Sequence, residues 1–215
     1  DSGVMTSCIL IQENELWLYY IGWNISQTVP FRNSIGLAIS KDMGKSFERF
    51  SDGPIVDRSI YDPAFVASSY VIKEKNKYRM WYLSCLKWEK SGNSFEHKYH
   101  IKYAESKDGI NWTRQGLVCI DFKNKNEYAI SRPIIIKESG KYKMWYSYRG
   151  NSYRIGYAES NDGYVWLRKD NEVGIDISKS GWDSEMIEYP FVFIHNNHKI
   201  MLYNGNAYGK TGIGL

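Results

Sequence analysis

Met80-Trp81-Tyr82, Ile101-Lys102-Tyr103-Ala104-Glu105-Ser106, Asp108-Gly109 and Trp112 follow one another in a fixed order. That order returns as Met144-Trp145-Tyr146, Ile155-Gly156-Tyr157-Ala158-Glu159-Ser160, Asp162-Gly163 and Trp166. A looser copy comes earlier, as Leu18-Tyr19-Tyr20, Ile35-Gly36-Leu37-Ala38-Ile39-Ser40, Asp42 to Gly44 and Phe47. A fourth begins at Leu202-Tyr203 and runs to Ile213-Gly214-Leu215. Tyr82 and Tyr146 are 64 residues apart, Tyr146 and Tyr203 57. A period in this range, with several short strands per copy, predicts repeated sheets around an axis. The ends of their inner strands would converge on one centre.

Each copy reads as a series of strands. An apolar run opens it (Val4 to Gln12, Ala64 to Ile72, Ile134 to Lys137, Phe191 to His195), and a polar turn leads into an aromatic strand. The Ile-x-Tyr-Ala-Glu-Ser element alternates as a strand with two unlike faces does. Asp-Gly then makes a tight turn, because glycine tolerates the positive φ such a turn needs. The aromatic after it (Phe47, Trp112, Trp166) starts an outer strand and is expected to pack between neighbouring sheets. These features predict an all-β fold, a five-bladed β-propeller of which this chain carries about three and a half blades. The expected organisation is a single domain over 1–215 with repeats near 1–57, 58–122, 123–178 and 179–215. Leu86 to Tyr99 reads as an extended loop within the second repeat. Five blades of this size need on the order of 300 residues. The chain is therefore expected to be incomplete, with open blade edges available for association.

Composition sets the outer limits. The hydrophobic fraction is 43% with 18 Tyr and 8 Trp, enough for a packed core. Net charge is +4, with Lys and Arg scattered among Asp and Glu. The absence of a basic stripe argues against a nucleic-acid partner. No stretch approaches the ~18 apolar residues of a membrane span. Cys8, Cys85 and Cys119 show no Cys-x-x-Cys spacing, and Cys8 and Cys119 lie in apolar runs, which favours a cytoplasmic address. His97 and His100 form a His-x-x-His on a strand, poor geometry for a metal, so no metal and no cofactor is expected.

The chemistry should lie where the repeats differ. Aligning the aromatic strands places Asp62-Pro63, Arg132-Pro133 and Tyr189-Pro190 at equivalent positions, with Met5-Thr6 as the prolineless fourth. Proline at a strand start costs no ladder hydrogen bond. The residues beside the prolines vary from copy to copy (Asp62, Arg132, and Tyr189 with Glu188 behind it), as an active centre would. Plain turns at Tyr61-Asp62-Pro63 and Glu188-Tyr189-Pro190 remain the alternative.

These two motifs, on inner strands of a five-bladed pattern, resemble the glycoside hydrolase superfamily of arabinanases, xylosidases, invertases and levansucrases, with β-mannoside phosphorylases as a further branch. The likeness runs through the repeats over essentially the whole chain. It is nearest to bacterial glycosidase-like propellers associated with surface-polysaccharide gene clusters, on the run Gly181-Trp182-Asp183-Ser184-Glu185-Met186-Ile187-Glu188-Tyr189-Pro190. The resemblance implies acid/base cleavage of a glycosidic bond in a bacterial glycan or glycan precursor. Glu188 takes the acid position and Asp62 the middle-blade aspartate that orients it. Two carboxyls sharing one glycosidic bond stand roughly 5–10 Å apart, the separation expected for this pair. Arg132 would hold either carboxylate ionised or bind an anionic substituent. The family's first-blade acid has no clear counterpart; Asp1 lies near the right depth and is also simply the first residue.

A carbohydrate partner brings further candidates. Tyr61, Tyr189, Asp183 and Glu185 flank the two motifs. Trp182 and Trp23, with Trp88 and Tyr208 behind them, can stack on sugar rings or pack in the core. Asn204, Asn206 and Arg149 follow inner-side strands, where hydroxyl recognition and a turn role are both open. A non-catalytic glycan-binding propeller, a glycoside phosphorylase and an apolar-plugged docking platform are the rival readings.

Overall fold

Within every copy of the repeat, consecutive strands pair antiparallel in chain order. The computed structural model describes residues 2–92 and 94–215; Asp1 lies outside them. Two compact units are present, residues 1–118 and 119–215.

The first unit holds two blades. Blade one is β1 (Gly3–Gln12), β2 (Glu15–Ile25), β3 (Phe31–Ser40) and β4 (Glu48–Arg49), in that order across the sheet. Blade two is β5 (Phe65–Glu74), β6 (Lys77–Ser91), β7 (Ser94–Ser106) and β8 (Thr113–Ile120). Alternation along β2 and β3 sends Tyr19, Ile35 and Leu37 to one face, where they meet Val66, Val71, Met80, Tyr82 and Ala104 of blade two. Each fully buried large side chain here contributes about 1.5–3 kcal/mol. Trp112 takes the expected inter-blade place, edge-on to Tyr19 with ring centroids 6.3 Å apart. Phe47, by contrast, stays partly exposed, at 36%.

The expected loop over Leu86 to Tyr99 is instead the long hairpin of β6 and β7, paired from Lys87↔Lys98 to Ser91↔Ser94. Its charged residues, such as Glu89 and Lys98, suggested a loop but pair on one face. The other face sets Trp88 and His97 against Phe31 and Phe65, with Trp88–Phe31 centroids 4.9 Å apart.

The second unit holds blade three, β9 (Ala129–Glu138), β10 (Lys141–Arg149), β11 (Tyr153–Ser160) and β12 (Leu167–Arg168), and blade four, β13 (Glu188–His195), β14 (His198–Asn204) and β15 (Ile213–Gly214). Strands β9 and β13 begin several residues earlier than the apolar runs suggested, because Ala129 to Arg132 and Glu188 to Pro190 also join the sheet. Among the described residues no helix is long and apolar enough to cross a membrane.

The Ser-x-Asp-Gly signature is a hydrogen-bonded corner. Ser106 Oγ accepts from the backbone N–H groups of Asp108 and Gly109, and Asp108 Oδ1 accepts from those of Ile110 and Asn111. Ser160 and Asp162 repeat the arrangement. Gly109 and Gly163 both sit at φ 77°, and their carbonyls accept from the indole N–H groups of Trp112 and Trp166. The most conspicuous motif of the sequence is therefore architectural.

Candidate active site

The inner strands share a feature that the sequence hides. Each carries a bulge, at Ser7 in β1, Ser68-Ser69 in β5, Arg132-Pro133 in β9 and Tyr189-Pro190 in β13. Ser7, Ser69, Pro133 and Pro190 each precede by eight residues the start of the next strand, at Glu15, Lys77, Lys141 and His198. Ser68, Arg132 and Tyr189 have φ of 40°, 53° and 54°. Such a left-handed residue turns its side chain out of the regular alternation, a use to which bulges beside active sites are put.

This register corrects the proline alignment. Asp62-Pro63 is not equivalent to Arg132-Pro133 or Tyr189-Pro190; Ser68-Ser69 is. Asp62 lies before β5, in an isolated bridge with Ser59. In blade one the bulge falls at Ser7, two residues beyond Met5. A proline in the second bulge position has no N–H to leave unpaired, which explains its presence in two copies. Blade two uses serine there, so a search for proline stops at the wrong residue.

Glu188 stands one residue before its bulge, at the position that Met5, Ala67 and Ser131 fill in the other copies. It is fully buried, and neither carboxyl oxygen has a hydrogen-bond partner. Burial pushes its pKa up to about 8, against the opposing pull of Arg149 and Arg132. Two more buried polar atoms in this unit lack partners, Ser131 Oγ and Arg149 Nε. Ser131 pairs across the sheet with Ser147, whose Oγ accepts from the backbone N–H of Tyr189 at 2.7 Å. Buried orphans are few in native proteins. Glu188 and Arg149 are close enough to act on each other electrostatically, so two of these orphans are neighbours.

Aromatic rings and guanidinium groups enclose the carboxyl. Arg132 lies over the Tyr189 ring at 5.2 Å, and burial draws its pKa below the ordinary value. Arg149 lies over the Tyr128 and Tyr153 rings at 5.5 and 5.2 Å and donates to Tyr208 Oη at 3.1 Å. Tyr153, Tyr189 and Tyr208 contact one another, with centroids 6.0–6.3 Å apart. Glu188, Tyr189, Arg132 and Arg149 are thus neighbours, and Tyr128, Ser147 and Tyr153, which the sequence does not single out, contact them. Asn204 pairs directly across from Glu188 in the sheet.

Other candidates are engaged elsewhere in the same unit. Trp182 stacks on Tyr203 at 5.5 Å and covers Gly205 and Gly214, where a Cβ would collide with it. Asp183 accepts from Tyr203 Oη at 3.0 Å. Asn206 is buried, and its side-chain oxygen accepts from the backbone N–H groups of Glu185 and Met186. These residues shape the turn that delivers Glu188, and the Glu185 side chain is exposed.

In the first unit, Asp62 is also fully buried but surrounded by donors. Tyr82 Oη and Ser59 Oγ donate to it, Arg114 pairs with it at 2.8 Å, and Lys102 Nζ is 3.8 Å away. Lys102 stands where the other copies have Gly36, Gly156 and Gly214, and that substitution was the readable signal for this cage. At those glycines the tyrosine ring leaves no room, a Cβ falling 2.3–2.4 Å from Tyr20, Tyr146 or Tyr203. Tyr61 is partly exposed, with its carbonyl accepting from Lys102. Trp23 packs on Phe31 at 4.6 Å.

Two proteins of Mycobacterium tuberculosis, Uncharacterized protein MT1551 (strain CDC 1551 / Oshkosh) and Uncharacterized protein Rv1502 (strain ATCC 25618 / H37Rv), are each 43% identical over 215 residues, spanning all of this chain and 71% of the relative. The chain belongs to their family. No family model matches it. Among solved structures, one described as a glycoside hydrolase superposes with a TM-score of 0.74 at 19% identity, over 98% of this chain and 67% of that one. A structure from work on GH130 mannoside phosphorylases and on glycoside hydrolases that target β-1,2 mannosidic linkages in Candida mannan gives 0.69 at 18%, over 96% and 61%. The fold is that of the five-bladed propellers of glycoside hydrolases and phosphorylases, and this chain carries about three and a half blades of it.

Proposed function

We propose that this family cleaves glycosidic bonds of a bacterial glycan or glycan precursor, with Glu188 as the proton donor to the leaving oxygen. The observation that supports this is the state of Glu188 itself: a buried carboxyl, free of hydrogen bonds, whose pKa of about 8 keeps it protonated near neutrality. A general acid needs its proton at working pH, and enzymes raise a carboxyl's pKa for that purpose by burial. The tyrosine rings around it offer apolar faces, and Ser131 and Arg149 supply polar atoms for hydroxyls.

The test compares wild type and Glu188→Gln, both as full-length protein, on a panel of glycans and aryl glycosides. Turnover of substrates with poor leaving groups should fall by about 10²–10⁴-fold, and that of activated aryl glycosides far less. An unchanged rate on poor leaving groups would remove Glu188 from the mechanism. One observation favours a second reading, a propeller that binds glycans without cleaving them: in the second unit the charged groups that perturb Glu188 are arginines. Tight glycan binding with no turnover by the wild type would establish that reading.

A further inference from the structure

We infer that Tyr208 is a specificity-determining residue of the site beside Glu188, its ring a platform for the apolar face of a pyranose. The inference rests on the reading of that site as a glycan site and names the side chain that selects the ring. Tyr208 stands on the turn 205–212, between β14 and β15, and the base of that turn is pinned. The backbone N–H of Gly205 donates to the Gly212 carbonyl at 3.0 Å, and that of Asn206 to the Trp182 carbonyl at 2.9 Å. The Asn206 side chain accepts from the Glu185 and Met186 N–H groups, and the Thr211 hydroxyl donates to the Trp182 carbonyl at 2.6 Å. On this base Ala207 and Tyr208 both adopt left-handed backbone, with φ 53° and 62°. A Cβ in that region crowds a neighbouring carbonyl, so two non-glycine residues in succession are uncommon. Gly209, which follows at φ 83°, is the residue type that the geometry itself favours. Strain of this kind persists where the surroundings over-determine it, and it gathers at ligand sites.

What the strain secures is the place of one ring. The Tyr208 ring meets Tyr153 edge-on, with centroids 6.0 Å apart, and Tyr189 at 6.3 Å. Its hydroxyl accepts from Arg149 at 3.1 Å, and its carbonyl from the Asn204 side chain at 3.4 Å. Asn204 is paired across the sheet from Glu188, and Tyr189 follows Glu188 in the chain, so the turn is tied to the acid from two sides. Yet Tyr208 is 54% exposed, whereas Tyr153, which it packs against, is 3% exposed. Trp182, also partly exposed, differs: its ring fills the space over Gly205 and Gly214 and serves the fold. A ring held by neighbouring rings and by its hydroxyl, but open over half its surface, is a preorganised apolar face, and little ordering cost remains when a ligand lands on it. Pyranoses match it, with C–H groups on a face and hydroxyls around the rim. The Glu188 carboxyl, buried and without a hydrogen bond of its own, supplies a polar group beside that face. An apolar wall with a few placed polar groups is the usual make-up of a small-ligand site.

The experiment measures binding, so it is independent of turnover. Full-length wild type, Tyr208→Phe, Tyr208→Asn and Glu188→Gln are titrated with the methyl pyranosides of glucose, galactose and mannose. Glucitol, galactitol and mannitol, the open-chain polyols of the same sugars, are run in parallel. Asparagine tolerates left-handed backbone, so Tyr208→Asn keeps the turn and removes the ring. The wild type should bind at least one pyranoside about tenfold more tightly than its polyol, and Tyr208→Asn should lose that preference, as the loss of one stacked ring implies. Tyr208→Phe should keep it, because the ring remains when the hydroxyl goes. In wild type carrying 3-fluorotyrosine at position 208, the fluorine resonance should shift with the pyranoside and not with the polyol. That readout decides the matter even where Tyr208→Asn folds poorly. A preference that persists in Tyr208→Asn would overturn the inference, as would equal affinity of the wild type for pyranoside and polyol, no pyranoside binding at all, or an unmoved fluorine resonance. Glu188→Gln should retain the preference. If it does so with undiminished turnover, the acid reading alone fails; if turnover depends on Glu188 while Tyr208→Asn binds as wild type does, this inference alone fails.

Discussion

Asp62 and Glu188 are both fully buried carboxyls near the starts of inner strands, yet their surroundings are opposite. Asp62 accepts from Tyr82 and Ser59 and pairs with Arg114. Glu188 accepts nothing, although two arginines lie close enough to oppose the effect of its burial. A carboxylate whose lone pairs are taken contributes to structure, because each bond is formed once on folding and stays formed. A buried carboxyl with none is a standing cost that folding alone does not explain. The pair teaches that burial alone does not set a carboxyl's state; whether its hydrogen-bonding capacity is met does.

The largest expected effect tests the Asp62 side. Asp62→Ala leaves the largely enclosed Arg114 without its carboxylate, and removing one partner of a buried pair costs up to about 3–5 kcal/mol. Denaturant unfolding of the full-length protein reads this directly. A loss below about 1 kcal/mol would mean that the Asp62 cage is incidental, and the contrast with Glu188 would collapse.

The next effect has the opposite sign. Glu188 is raised from 4.5 to about 8 in the folded protein, so the folded state holds a proton that the unfolded chain has released. Stability from this group is therefore full below about 4.5 and declines as pH rises to about 8. Glu188→Gln lacks the titrating proton. It should be more stable than wild type at pH 8–9, on the order of a few kcal/mol, and equal to it near pH 4. Melting temperatures measured across that range check it; a Glu188→Gln protein less stable than wild type at pH 8 would contradict the unsatisfied-carboxyl description. The same ionisation should put the alkaline limb of kcat/KM near pH 8.

How much of this could be read beforehand differs along the chain. Repeats declare themselves through side chains that face the core at fixed intervals, which is why Trp112 and Trp166, with their shared hydrogen bond to a turn glycine, were found from spacing alone. Bulges do not, because a bulge is a relation between two strands and leaves no fixed residue type behind. Pro133 and Pro190 marked two of them, and Ser69 marked none, so Asp62-Pro63 was set in a register it does not occupy. The hairpin through Trp88 and His97 was hidden for another reason. One of its faces carries charges that read as solvent, while the other is buried against Phe31 and Phe65. Glu188 was reached through family resemblance, but its bare, enclosed carboxyl and the two arginines beside it exist only in three dimensions.

The smallest effect sharpens the comparison with a third carboxylate, one that is exposed and satisfied. Asp108 accepts from the backbone N–H groups of Ile110 and Asn111, the Asn111 side chain and the Ser106 hydroxyl. The side-chain and backbone bonds from Asn111 hold its pKa below the ordinary 3.8. Its stabilisation is thus full above that value and lost as pH falls below it through the lowered pKa of the folded state, the reverse of the Glu188 dependence. Solvent competes for each of these bonds, so Asp108→Ala should cost only about 1 kcal/mol at pH 7. The deficit should shrink below pH 4 and leave glycan affinity untouched, since the residue fixes a turn and no atom of it belongs to the Glu188 cluster. Unfolding at pH 7 and pH 3, with glycan binding measured in parallel, tests both halves. A cost that persists unchanged at pH 3 would assign the turn's strength to glycine geometry at Gly109 and remove the carboxylate from its account.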